Sequence, residues 1–169
     1  FRPGNEFTQQ HDAALVHAAP RSLFHSNQIL GTGDNDFATA KRCVPRMRAH
    51  FHGLSQQAIY YRFMQAVKDG VVPRRQIEDF VYIDHRNDVC IVGVLPETYG
   101  EQIIAIGSYY LDPKTNRAEV AFTVHDKWQQ RGIGTFLLKH LMRIARRNGI
   151  GGFTAEVLIE NRSMQAVFN

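Results

Sequence analysis

Residues 129–135, Gln-Gln-Arg-Gly-Ile-Gly-Thr, have the composition of an anion-binding loop. They follow an alternating apolar run, residues 118–124, and lead into a strongly amphipathic segment that predicts a helix. The first turn of a helix has backbone N–H groups without intrahelical partners and carries partial positive charge, so a phosphate or pyrophosphate fits there. Gly132 and Gly134 have no side chains to keep a ligand away, and Arg131 adds charge. By itself, a Gly-x-Gly sequence before a helix is equally compatible with a packing turn.

The composition is that of an ordinary globular domain. The chain has 169 residues, 44% hydrophobic and 21% charged, which predicts one domain and excludes disorder. No apolar run approaches the roughly 20 residues of a membrane-spanning helix, and no signal peptide is visible. The net charge of +4 is modest, and no basic stripe with interleaved aromatics indicates a nucleic-acid partner. We therefore expect a soluble cytoplasmic protein without a membrane or nucleic-acid partner.

The cysteines and histidines do not indicate a metal site. Cys43 and Cys90 lack zinc-ligand spacing, and we expect both to be reduced thiols. His50 and His52 are two positions apart, and such residues do not face each other in a helix, so they would chelate poorly. His125 follows a predicted strand and fits either a loop histidine or a secondary acid or base. We predict that the protein binds no metal.

Helical patterns precede residue 88. Three helices are predicted, over residues 37–51, 55–67 and 73–82. Ser55 is a credible N-cap for the second. Pro45 should begin or kink the first, because proline cannot donate a helical hydrogen bond. Residues 1–38 are the least readable part of the chain, and we separate them as an N-terminal segment that could belong to a first strand and helix.

Extended patterns begin near residue 88. Strands are predicted over residues 89–95, 102–111 and 117–124, and the turn signals between them indicate an antiparallel meander. A helix over residues 132–147, a strand over 153–159 and a helix from Asn161 follow. The fold class is therefore α+β.

Residues 39–169 resemble the GNAT family of N-acetyltransferases. Three sequences carry the resemblance: Gln129-x-x-Gly132-x-Gly134 after a strand, Asn161 at the end of Val-Leu-Ile-Glu-Asn, and residues 54–63, Leu-Ser-Gln-Gln-Ala-Ile-Tyr-Tyr-Arg-Phe. The last is similar to one branch of the family, which contains protein lysine acetyltransferases and domains fused to acyl-CoA synthetases or CoA transferases. The resemblance implies the GNAT fold, a mixed, mainly antiparallel sheet flanked by helices, and acetyl-CoA as co-substrate.

The resemblance also implies which residues contact acetyl-CoA. The glycine loop would hold the pyrophosphate, a backbone N–H near Val124 would bind the thioester carbonyl, and Asn161 would face the pantetheine arm. The complete set of implied binding residues is Val124, Gln129, Arg131, Gly132, Ile133, Gly134, Thr135 and Asn161. Asn161 is equally compatible with a helix N-cap.

Glu119 is the candidate general base. An amine attacks a thioester only when it is neutral, and a free lysine has a pKa near 10.4, so a base within reach is needed. The Ala118-Glu119-Val120-Ala121 context resembles the catalytic strand of the lysine acetyltransferases. The alternative is a solvated strand residue paired with Arg117.

Two departures from the family pattern qualify these expectations. Many members have a tyrosine general acid seven residues after the strand-end asparagine, where this chain has Phe168. The strands that close the family's sheet are not found, and we expect the chain to be fused to further domains. Acetyl transfer to a protein lysine is the leading hypothesis. A small-molecule N-acetyltransferase and a non-catalytic acyl-CoA-sensing module are the alternatives.

Overall fold

A computed structural model describes residues 29–30, 37–67, 70–83, 87–98 and 100–169. The elements are β1 Ile29–Leu30, α1 Phe37–His52, α2 Gln56–Phe63, α3 Arg74–Glu78, β2 Val89–Glu97, β3 Gly100–Asp112, β4 Arg117–Val124, α4 Ile133–Arg147, β5 Gly152–Thr154 and α5 Arg162–Phe168. The strands form one sheet in the order β1-β2-β3-β4-β5, antiparallel throughout except for the parallel pair β4–β5. This is the mixed, mainly antiparallel α+β sheet that the sequence predicted.

Helices cover both faces of the sheet. On one face, Met47 and Phe51 of α1 pack with Ile77 of α3 against strand residues such as Ile106. On the other face, Leu137 and Leu141 of α4 pack against residues of β3 and β4. Burial of these apolar surfaces is the main force that holds the layers together. No helix within the described ranges is long and apolar enough to cross a membrane.

The alternation of β4 decides which way its side chains point. Val120 and Phe122 belong to the apolar cluster around α4. Because successive strand residues face opposite sides of a sheet, Glu119 and Thr123 lie on the face covered by α1, α2 and α3. Glu119, the candidate base, therefore lies on the face of the sheet that α1, α2 and α3 cover. Helix α4 packs against the opposite face.

The helices differ from the predictions in their ends. The first continues through Pro45 as one helix, so of the two expectations for Pro45, that it begins a helix or kinks one, the first was wrong. The second starts after its predicted N-cap, Ser55, whose hydroxyl accepts from the Ala58 N–H at 3.2 Å. It ends at Phe63 and does not reach residue 67, because Met64 adopts left-handed backbone angles, with φ 54°. The third ends at Glu78.

The strand predicted over residues 153–159 is mostly absent. β5 contains only Gly152–Thr154, and its pairing with β4 stops where Glu119 lies opposite Thr154. Residues 155–160 are not paired with β4 and belong to no strand. The N-terminal segment predicted at residues 1–38 lies outside the described residues, apart from β1 and the start of α1.

Candidate active site

The sheet opens at the end of β4 that leads into the glycine-rich loop. Pairing of β4 with β5 ends at Glu119, whereas its pairing with β3 continues to Val124. Residues 120–124 consequently have a strand on one side and none on the other. Such a gap leaves backbone donors and acceptors available to a ligand.

The backbone groups that face this gap belong to alternate residues of β4. His125 donates its N–H to the Ile104 carbonyl at 2.8 Å, in register with the rest of the β3–β4 pair. Because the direction of bonding alternates along an antiparallel strand, Val124 and Phe122 direct their N–H and C=O groups away from β3. Gln129 agrees with this direction, since its Nε2 donates to the Val124 carbonyl at 3.1 Å. The Val124 N–H therefore faces the gap.

A cleft of about 850 Å³ fills the gap. Ligand clefts in proteins commonly measure roughly 300–1,000 Å³, so this one can hold a substrate of considerable size. Its walls come from α2, β4, the glycine loop and the segment after β5. Eight of the residues predicted for the site line the cleft, namely Glu119, Val124, Gln129, Gly132, Ile133, Gly134, Thr135 and Asn161.

Backbone N–H groups at the start of α4, next to the glycine loop, lie at one end of the cleft. The first hydrogen bond within α4 joins the Phe136 N–H to the Gly132 carbonyl at 2.9 Å. The N–H groups of residues 133–135 therefore have no acceptor inside their own helix. Three consecutive donors at the positive end of a helix dipole fit a pyrophosphate. Arg131 does not line the cleft; it stacks on the Trp128 ring, 4.8 Å from the centroid.

The two glycines of the loop are needed for different reasons. Gly132 has φ +76°, which side chains tolerate poorly, and a Cβ there would meet nothing within 4 Å. Gly134 has ordinary helical angles, but a Cβ there would lie 3.2 Å from Val167 Cγ2. Gly132 thus serves the turn and leaves space for a ligand, whereas Gly134 also lets α5 pack closely on α4.

Asn161 is the N-cap of α5. Its Oδ1 accepts from the Met164 N–H at 3.1 Å and from the Ser163 hydroxyl at 3.0 Å. The side chain is buried, and the residue lines the cleft. The N-cap interpretation of the sequence is therefore confirmed, and the cap holds Asn161 at the edge of the cleft.

Glu119 lies at the mouth of the cleft and is exposed to solvent. Its opposite residue on β3 is Tyr110. The salt bridges among the described residues are Arg46–Glu101 and Arg74–Glu78, so Glu119 does not form the ion pair with Arg117 that was its alternative interpretation. An exposed carboxylate at this position is available to a substrate.

Arg62 of α2 is a site feature that the sequence did not identify clearly. Its guanidinium stacks on the ring of Phe80, 5.0 Å from the centroid, and its Nη2 donates to the Ser108 hydroxyl at 3.5 Å. Burial lowers the pKa of this guanidinium, while the charge of Glu119 is among the influences that raise it. A largely desolvated cation thus lies within electrostatic range of the candidate base, and only the tertiary packing of α2 on the sheet produces this arrangement.

Asp126 joins α2 to the loop that precedes α4. Its carboxylate accepts from the Ser55 N–H at 2.9 Å and from the Ser55 hydroxyl at 2.6 Å. Partial burial raises the pKa of Asp126, but these hydrogen bonds outweigh it, and the net pKa is lowered. The N-terminus of α2 is thereby held against the cleft, and Tyr61 and Arg62 lie in the last turn of the same helix.

His50 forms a buried pair with Thr123 behind the cleft. Its Nδ1 lies 3.0 Å from the Ile103 carbonyl, and its Nε2 lies 3.1 Å from Thr123 Oγ1. His50 is 2% exposed. Burial lowers the pKa of His50 to about 4, so the imidazole is neutral at pH 7. Because Ile103 offers only an acceptor, Nδ1 carries the proton and Nε2 accepts from Thr123.

This burial predicts a pH-dependent stability. A histidine with a folded pKa below its unfolded value of 6.5 contributes full stability above pH 6.5 and loses it as the pH falls towards 4. Between pH 7 and pH 5 we expect the free energy of unfolding to fall by about 2 kcal/mol because of His50. Denaturant titrations of His50→Asn should lack this decrease, whereas His52→Asn, an exposed residue of the same helix, should retain it. An equal decrease in His50→Asn would contradict the assignment.

The position of the family's general acid is apolar. Phe168 packs against Phe122, with ring centroids 6.0 Å apart. Among the described residues, Tyr61 is the tyrosine that lines the cleft, and its hydroxyl accepts from Gln57 Nε2 at 2.8 Å. Tyr60, its neighbour on α2, is 37% exposed, whereas Phe80 is buried.

The described part of the chain has no group of three metal-ligating side chains placed to hold an ion. His125 is part of the connection after β4, where its Nδ1 accepts from the Lys127 N–H at 3.4 Å. Cys90 is buried, and burial raises the pKa of its thiol to about 12. The thiol is therefore protonated and unreactive at neutral pH.

Comparison with known proteins identifies relatives of this arrangement. The acetyltransferase (GNAT) family matches residues 57–169. Acetyltransferase Pat of Mycolicibacterium smegmatis is 32% identical over 120 residues, which cover 68% of this chain and 33% of Pat. Acetyltransferase PA5475 of Pseudomonas aeruginosa is 25% identical over 120 residues, covering 71% of this chain and 63% of that protein. The chain thus spans less than two thirds of either curated relative.

Solved structures show the same fold. The GNAT domain of S. lividans PAT superposes with a TM-score of 0.65 and 28% identity, covering 75% of this chain and 73% of that one. An acetyltransferase of the GNAT family from Streptococcus pneumoniae gives a TM-score of 0.57 at 15% identity, covering 74% and 77% of the two chains. At that identity the second comparison supports the fold alone.

Proposed function

The chain belongs to the GNAT family of acetyltransferases, and from this premise we propose that its cleft binds acetyl-CoA and transfers the acetyl group to a protein lysine. Membership supports an N-acetyltransferase that moves an acyl group from acyl-CoA to an amine. We also propose that the acceptor is a protein lysine, that its amine attacks the thioester directly, and that Glu119 is the base.

The observation that carries the proposal is the gap in the sheet between the glycine loop and Glu119. At one end the N–H groups of residues 133–135 and the α4 dipole provide a site for the pyrophosphate of CoA. In the middle the Val124 N–H can donate to the thioester carbonyl, and Asn161 lies beside the path of the pantetheine arm. At the other end is an exposed carboxylate. The site for the pyrophosphate and the candidate base thus lie at opposite ends of a single cleft, with the thioester between them.

Main-chain groups provide most of the proposed contacts with acetyl-CoA. Ile133, Gly134 and Thr135 supply the donors, and Gly132 leaves the space for the phosphates. Gln129 keeps the loop in place through its bond to the Val124 carbonyl. Arg131, on the Trp128 ring, contributes positive charge near the loop without contacting the cleft. Acetyl-CoA supplies an activated acyl group, a thioester whose carbon accepts a nucleophile.

Chemistry at the other end depends on removing a proton from the amine. The lysine nitrogen attacks the thioester carbon, the C–N bond forms and the C–S bond breaks, and CoA leaves as a thiolate that takes up a proton from solvent. Glu119 takes the amine proton through water. The Val124 N–H stabilises the negative charge that develops on the carbonyl oxygen. The exposure of Glu119 favours a macromolecular acceptor, because a lysine projecting from a protein surface can reach the mouth of the cleft.

The acceptor class is tested by comparing rates. We expect the chain to acetylate lysines of soluble proteins, detected by mass spectrometry, with a higher kcat/KM than it acetylates a polyamine, a free amino acid or an aminoglycoside. Faster transfer to one of the small amines would contradict the protein acceptor and would favour a small-molecule N-acetyltransferase.

The apolar contact of Phe168 with Phe122 favours one second candidate, an acyl-CoA-sensing module without turnover. With no phenol at that position, the leaving thiolate lacks the family's usual proton donor. Such a module would bind acetyl-CoA tightly and release no CoA in the presence of any amine. Amine-dependent release of CoA would exclude it.

A further inference from the structure

The hydroxyl of Thr123 donates its hydrogen to a hydrogen bond with His50. Nε2 of neutral His50 has no hydrogen, so across their 3.1 Å contact the Thr123 O–H is the donor. The ring of His50 cannot turn to reverse these roles, because its Nδ1–H is bonded to the Ile103 carbonyl. A threonine oxygen with its proton held in this way acts towards any further partner as an acceptor.

Thr123 belongs to the wall of the cleft and is 5% exposed. Thr123 lines the cleft and shares a sheet face with Glu119, since the two residues are four positions apart on β4. It directly precedes Val124, whose N–H faces the gap. The acceptor oxygen is therefore next to the point where the thioester carbonyl would bind.

We propose that Thr123 accepts a hydrogen bond from the attacking amine and positions it, with His50 as the residue that fixes the direction of the hydroxyl. This inference rests on the proposed acetyltransferase function and names the chemistry of the acceptor, a primary amine. A neutral primary amine has two N–H groups and one lone pair. One N–H bonds to Thr123, the other loses its proton towards Glu119, and the lone pair is left to attack the thioester carbon.

The spacing of the two residues assigns different tasks to them. Four residues of strand separate their α-carbons by roughly 13 Å, so one nitrogen cannot contact both side chains closely. The amine bonds to Thr123 directly, and its proton reaches Glu119 through water. A relay in which Thr123 passes the proton to His50 is disfavoured, because burial opposes charging of this imidazole. Thr123 is accordingly a positioning group, and Glu119 remains the base.

The test compares a primary with a secondary amine. Peptides that differ only in lysine or N-methyllysine are offered with acetyl-CoA to the unsubstituted protein and to Thr123→Val, which removes the oxygen but keeps the shape. A secondary amine has a single N–H, which must go to the base, so it cannot also bond to Thr123. The unsubstituted protein should favour the lysine peptide through this bond, and in Thr123→Val the ratio of the two kcat/KM values should fall roughly 3- to 10-fold.

Controls separate the possible causes. Thr123→Ser restores the hydroxyl and should restore the ratio, and the affinity for acetyl-CoA should be the same in all three proteins. If Thr123→Val fails to fold, His50→Asn, which frees the hydroxyl to rotate, should lower the same ratio. If the ratio is unchanged in a folded Thr123→Val variant, this inference is wrong and the proposed function is unaffected. Where that variant does not fold, an unchanged ratio in His50→Asn leads to the same conclusion. Failure of the unsubstituted protein to acetylate any amine overturns the proposed function as well.

Discussion

Glu119→Gln should lower kcat about 100- to 10,000-fold, the usual contribution of a general base. The amide has nearly the same shape as the carboxylate but cannot take a proton from the amine. Glu119 is exposed and forms no ion pair among the described residues, so the substitution should leave the fold intact. Steady-state kinetics with a lysine acceptor measure the effect, and calorimetric titration should give an unchanged affinity for acetyl-CoA.

The matched control for this change is Glu156→Gln. Glu156 is the other glutamate that lines the cleft, on the segment after β5, and it too is exposed. It lies across the gap from β4 and has no role in the proposed mechanism, so its loss should change kcat little. If kcat falls as much in Glu156→Gln as in Glu119→Gln, or if kcat is unchanged in Glu119→Gln, then Glu119 is not the base.

Gly132→Asp should weaken acetyl-CoA binding about 100-fold relative to Gly132→Asn. A carboxylate there would lie beside the donors of residues 133–135 and repel the pyrophosphate, and two unit charges about 5 Å apart interact by roughly 3 kcal/mol at an effective dielectric constant of 20. Asn and Asp have almost the same shape and both tolerate the left-handed angles of Gly132, at φ +76°. The difference between the variants therefore isolates charge from backbone strain.

Gly132 is the better position for this test because nothing lies within 4 Å of a Cβ built there. A substitution at Gly134 would push against Val167 and combine a packing defect with the charge. Calorimetric titration of both Gly132 variants measures the effect. Equal affinities of the Asp and Asn variants would mean that the phosphates bind elsewhere.

The sequence predicted the elements whose signals are local. β4 has the bounds that its alternating pattern indicated, residues 117–124. Ser55 and Asn161 are caps, because a cap bonds to residues two or three positions away. The loop before α4 also depends on local chemistry, since a glycine with positive φ and a helix start are both encoded within a few residues.

Features that depend on distant residues were not predictable in this way. Residues 153–159 have the composition of a strand, but strand formation needs a partner, and β4 diverges from them after Glu119. His50 and Thr123 are 73 positions apart in sequence, and the packing of α1 on the sheet brings them into contact. A helix was predicted over residues 55–67, and α2 occupies Gln56–Phe63 of it, yet the position of Arg62 within electrostatic range of Glu119 follows from how that helix packs.

The appearance of free CoA thiol, followed with and without a lysine peptide after addition of acetyl-CoA, tests the central claim most directly. The proposed mechanism predicts that the rate of CoA release rises with peptide concentration to a maximum and that acetylated peptide accumulates in equal amount. It also predicts that Glu119→Gln loses this peptide-dependent rate. Tight acetyl-CoA binding with a release rate that no amine changes would contradict the claim and identify the cleft as a sensor of acyl-CoA.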